Sequence, residues 1–164
     1  MSGIQSLLAI GAIWLFALVS INFNSAVVHN ISIEVENKVY LDAFSLADDM
    51  IEEIKQKAFD EEVVDSFKTI LVDSLSIIGK DAGENLRKSF DDIDDYNGLI
   101  DTIGLPYVET FLRTTKVSYA DTANGFNTTN SKSYYKRVDV TVESLKNYLT
   151  NPVTLSFIFT LHSK

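Results

Sequence analysis

The sequence predicts an α+β chain: one long N-terminal α-helix, apolar in its first half and amphipathic in its second, packed on a small antiparallel β-meander head. Three observations predict it. Residues 1 to 33 contain no Asp, Glu, Lys or Arg. No glycine occurs between Gly11 and Gly79 and no proline before Pro106, so nothing in that stretch strongly breaks a helix. Finally, the strand-like alternation of polar and apolar residues is confined to the C-terminal third.

Ile4 to Val28 is long enough, at roughly 1.5 Å per residue, to cross a ~30 Å hydrocarbon layer. The run Leu7 to Ile21 is interrupted only by Gly11 and Ser20. No basic residue precedes Lys38, which lies among Glu34, Glu36 and Asp42. A permanent single-span tether is expected to carry basic residues on its cytoplasmic flank. The acidic flank therefore favours an exported body, and the uncharged helix fits a mature segment that has lost a basic leader, or one that leaves the bilayer to pack against copies of itself. Beyond this run Val35, Val39, Ala43, Leu46, Met50, Ile54 and Ala58 recur at three- and four-residue spacing, which places one apolar stripe on a continuing helix, expected to end near Phe59. Residues 1–30 are read as a transmembrane or filament-core segment, and residues 31–164 as the α+β head.

Asp60, Glu61 and Glu62 complement the start of a further helix, with Val63, Val64, Phe67, Ile70, Leu71, Leu75 and Ile78 giving it an apolar face over about 61–78. Three strand-like runs follow. Val108 to Tyr119 is rich in Thr, Val and aromatic residues. Tyr135, Arg137, Asp139 and Thr141 alternate with Val138, Val140 and Val142; Leu155, Phe157, Phe159 and Leu161 alternate with Thr154, Ser156, Ile158 and Thr160. A sheet with one apolar face needs a cover, and the stripe from Val35 to Ala58 is the candidate.

Composition excludes much. The 164 residues hold no cysteine and two histidines, which removes disulfides, thiol nucleophiles and cysteine-based zinc sites. No Walker loop, dinucleotide fingerprint or nucleophile elbow is present, and the chain is not expected to be an enzyme. A net charge of −9 argues against nucleic acid as a partner. Charge is divided unequally: residues 34–101 hold nineteen acids against seven bases, whereas residues 102–164 hold four against seven. Such blocks are either solvated faces or surfaces that set register between subunits.

The densest polar cluster is Asp91, Asp92, Asp94 and Asp95, followed by Tyr96, Asn97 and Gly98. Four carboxylates so close repel unless something positive is near. Calcium, with its oxygen ligands, is one candidate, held by Asp91, Asp92, Asp94, Asp95 and Asn97. A solvated acidic turn partnered by Lys80, Arg87 or Lys88 is the other. No other cofactor is expected. His29 and Trp14 are read as packing residues of a helix bundle.

This architecture resembles the type IV filament superfamily, the pilins and the pseudopilins of type II secretion. The segment Phe90-Asp91-Asp92-Ile93-Asp94-Asp95-Tyr96-Asn97-Gly98 is similar to a stretch found in some minor pilin-like proteins, as are Tyr135 to Val142 and the Lys57-Ala58-Phe59-Asp60 end of the stalk. The family usually carries a glutamate as its fifth mature residue; here that place falls to Gln5, or to Leu8 if cleavage follows Gly3. The resemblance implies an extracellular helical homo-oligomer, inserted in the inner membrane before assembly and built by a type IV filament assembly machinery. Its core contacts are then expected at Gln5, Leu8, Trp14, Leu15 and Leu18. A membrane-tethered extracytoplasmic binding module is the alternative function.

Overall fold

The computed structural model describes residues 3–61, 71–81, 83–84, 86–106, 110–146 and 148–161. One helix, α1, runs Gly3–Ile54, and it is followed by a five-stranded antiparallel sheet: β1 Ile100–Gly104, β2 Thr110–Asp121, β3 Asn127–Thr129, β4 Tyr135–Ser144 and β5 Val153–Thr160. The chain divides into two compact units, Met1–Lys38 and Val39–Lys164.

Within the first unit, residues 3–35 of α1 are exposed throughout. Its most apolar window has a mean hydropathy of 2.2 with none of it buried, so α1 is long and apolar enough to cross a membrane.

In the second unit the remainder of α1 behaves as an amphipathic helix should. Val39, Ala43, Ala47, Met50, Ile51 and Ile54 are buried in one core with Phe111, Val117, Tyr119, Val138, Val140 and Val142 of the sheet. The predicted stripe is confirmed at Val39, Ala43, Met50 and Ile54. Val35 is exposed and lies outside the core.

The helix ends at Ile54, short of the expected Phe59. Ala58 instead joins the chain at the acidic turn: its N–H donates to the Asp91 carbonyl at 3.0 Å and its carbonyl accepts from Ile93 N–H at 3.0 Å. These tertiary backbone bonds form a parallel bridge between Ala58 and Asp92, and they replace the helical bonds that continuation would have made.

Strand order is β1-β2-β4-β5, with β3 also paired to β2. Registers align the buried faces of β2 and β4, with Val117 opposite Val138 and Thr115 opposite Val140; across β4 and β5 Val138 opposes the more exposed Phe157 and Val140 opposes the partly buried Leu155. The three predicted strands correspond to β2, β4 and β5. The two short strands β1 and β3 were not predicted.

Of the helix expected at 61–78, residues 62–70 lie outside the described residues. Residues 71–78 are not α-helical, holding a 3-10 turn at Val72–Ser74 after an extended Leu71. A carboxylate sixteen positions away competes for the backbone. Both carboxylate oxygens of Asp60 accept from Ser76 N–H, at 3.1 and 3.2 Å, which draws residue 76 out of helical pairing.

Candidate functional site

The acidic segment is part of the core, and its counter-charge is a lysine. Asp60, Asp92, Asp94, Asp95 and Lys136 are each at most 1% exposed. Lys136 lies on β4 in the same parity as Val138, Val140 and Val142, so it enters the core as they do. Its ammonium donates to the Phe59 carbonyl at 2.6 Å and to Asp60 Oδ2 at 2.8 Å, and it forms an ion pair with Asp94 Oδ1 at 2.7 Å. The rings of Phe59 and Tyr119 flank it at 4.6 and 5.6 Å. Tyr119 in turn donates its hydroxyl to the Ser76 carbonyl.

The other carboxylates are held by backbone donors. Asp92 Oδ1 accepts from Asp94 N–H at 2.7 Å and Asp95 N–H at 3.2 Å, closing the 3-10 turn Asp94–Tyr96. Asp95 Oδ2 accepts from Asp91 N–H and Asp92 N–H at 3.1 and 3.3 Å. Asp94 Oδ2 accepts from Ser76 Oγ at 2.7 Å. Asn97 Oδ1 accepts from Val117 N–H at 3.1 Å, which ties the turn to β2.

Thus the residues named as calcium ligands do not point at one centre. Asp91 is exposed, while Asp92, Asp94, Asp95 and Asn97 face backbone donors, Ser76 or Lys136. Among the described residues, the carboxylates that do converge are Asp81, Glu84 and Asp95, within 4.8 Å of one another. The neighbouring Asp95 carboxylate raises the Glu84 carboxyl to about 7. Burial pushes Asp92 up to about 7, and burial also raises Asp94 against the pull of Lys136.

Of the bases expected to partner the turn, none does so in the way foreseen. Arg87 instead pairs with Glu53 through Nε at 2.9 Å and through Nη2, and with Asp101 through Nη1 at 2.9 Å. Lys80 sits 4.9 Å over the Phe90 ring. Asp101 also receives the Arg113 fork at 3.0 and 2.6 Å, Arg113 Nη1 donates to the Leu46 carbonyl at 2.7 Å, and Tyr96 donates its hydroxyl to Glu53 at 2.7 Å. This lattice fastens the last turns of α1 to β1, β2 and the acidic turn. Its hydrogen bonds hold the Glu53 carboxyl below the usual carboxylate range.

The expected assembly residues all lie on α1. Leu8, Trp14, Leu15 and Leu18 are 54–69% exposed, and Gln5 is exposed beside them. Lys136 was missed as a site residue, although its parity with the β4 valines was a readable signal. Comparison with protein families, with characterised proteins and with solved structures finds no match for this chain.

Proposed function

We propose that the chain is a structural subunit of an extracellular helical filament, assembled by bundling of its N-terminal apolar helices, and that its role is mechanical rather than catalytic. One observation carries the reading: α1 leaves residues 3–35 exposed, with large apolar side chains all round, and its later residues enter the core of the head. An apolar surface of that extent needs lipid or other apolar helices to cover it. Identical helices can replace lipid contacts by close packing, and Gly11 and the alanines at 9, 12 and 17 suit a close approach. The side chains of Gln5, Leu8, Trp14, Leu15 and Leu18 are the proposed contacts, and the membrane is the store from which an assembly machinery draws subunits.

The test removes residues 1–28. Full-length protein should sediment as filaments once detergent is withdrawn. The truncated head should stay soluble and monomeric, with its β-sheet circular dichroism retained. A full-length chain that stays monomeric in lipid and captures a ligand equally well with and without residues 1–28 would instead establish the tethered binding module.

A further inference from the structure

Lys136 is an unusual lysine: wholly buried, flanked by two aromatic rings, and within hydrogen-bond distance of two buried carboxylates. An isolated buried ion pair is costly to desolvate, and replacing it by apolar side chains is often neutral or stabilising. The same arrangement is well suited to chemistry. Amine and carboxyl are held together, out of water, with the proximity that makes intramolecular reactions fast.

We propose that Lys136 and Asp60 form an intramolecular isopeptide bond. The proton path is laid out by distances. Lys136 Nζ passes one proton to Asp94 Oδ1 at 2.7 Å. The protonated Asp94 carboxyl then turns over to bring that proton to the Ser76 side, and a relay through Ser76 Oγ, 2.7 Å away, delivers a proton to Asp60 Oδ2 at 3.1 Å, so that Asp60 becomes the neutral acid. The Nζ lone pair attacks Asp60 Cγ. Ser76 N–H, 3.1 Å from Asp60 Oδ1, donates to the oxygen on which charge develops. Asp94 takes the next proton from the nitrogen and delivers it to the departing hydroxyl. One C–N bond forms, one C–O bond breaks and one water leaves; Asp94 ends as it began, and no oxidant or other reactant is needed. Asp60 is the acceptor and Asp94 the carrier because the Ser76 N–H stands against both oxygens of Asp60 alone.

The bond would join the segment just after α1 to the central strand β4, spanning 76 positions of the sequence. It lies within the head, so it forms whether or not the chain assembles, and its test is independent of the filament reading.

The experiment is peptide mapping of the purified full-length chain by mass spectrometry after denaturation and trypsin digestion. The expected product is a branched peptide joining 58–68 to 133–137, one water lighter than the two together and uncut after Lys136. Lys136→Arg and Asp60→Ala, measured the same way whether folded or not, should give only linear peptides. Asp94→Asn keeps the Asp60–Lys136 contact and loses the proton carrier, so the branched product should fall at least tenfold. Linear peptides from the wild-type chain, with cleavage after Lys136, overturn the proposal. So does a water loss that maps to another pair of residues, or a branched yield unchanged in Asp94→Asn.

Discussion

Leu15 and Met50 stand on the same helix in opposite surroundings. Leu15 is 65% exposed among neighbours that are apolar on every side, whereas Met50 is fully buried under the sheet. Around Met50 the helix is amphipathic, with Asp48, Asp49 and Glu52 on its exposed side. Around Leu15 there is no polar face to turn outward. The difference teaches that one element carries two separate instructions. Its later residues are spent on folding the head, and its earlier residues, in the proposed filament, are kept for a partner, so substitutions in the two regions should affect different measurements.

The largest effect expected is on the head. Met50→Ala should lower its stability by about 2–5 kcal/mol, the usual cost of emptying a buried site, read as a shift in denaturant midpoint. Leu18→Ala should leave that midpoint unchanged and reduce only filament yield. An equal loss of head stability from both would break the division between the two regions. Next comes Leu15→Asp, which places a charge where bilayer insertion scales charge roughly 2.5–3.5 kcal/mol. Assembly should be abolished with the head's unfolding curve intact.

A third expectation concerns pH. Asp92 sits at about 7 in the folded head against an ordinary 3.8. The folded state therefore holds a proton that the unfolded state has released, and stability falls as pH rises from about 4 toward 7, by roughly 1.4 kcal/mol per pH unit for one proton. Above about 7 the carboxyl is ionised in both states and the curve should level. Asp92→Asn, made with Glu84→Gln to remove a second high carboxyl, should reduce the slope to what Asp94 contributes, while Oδ1 still accepts from the Asp94 and Asp95 N–H groups. An unchanged slope would assign the proton elsewhere.

The smallest effect is expected at Gln5. Gln5→Glu should equal or exceed the wild type in filament yield and Gln5→Leu should fall below it, because a bundle end that must satisfy polar groups gains from an acceptor there. Equal yields from all three would show that the position has no part in assembly.

How much of this could be read from the chain alone follows the reach of each interaction. α1 was legible because the absence of glycine and proline and the three- and four-residue spacing are local signals. Strands β4 and β5 were legible by alternation. The end of α1 was not, because Ala58 stops it by pairing with Asp92, 34 positions away. Strand β1 was missed because Ile100–Gly104 alternates too briefly to stand out, and its identity comes from pairing with β2. The acidic turn was recognised as a cluster, but what neutralises it was not, since Lys136 is distant in sequence and is brought in by sheet register. The parity of β4 held that information: a lysine in phase with Val138, Val140 and Val142 must either break the core or find buried acids.

Residues 4–28 are proposed to form the inside of a filament. Electron cryo-microscopy of the full-length protein after detergent removal should show thin helical filaments whose centre is a bundle of these helices, with Leu15 and Leu18 against neighbouring copies and the β-sheet heads outside. Particles that remain single subunits embedded in lipid, or filaments joined through the heads with residues 4–28 outside the core, would contradict it.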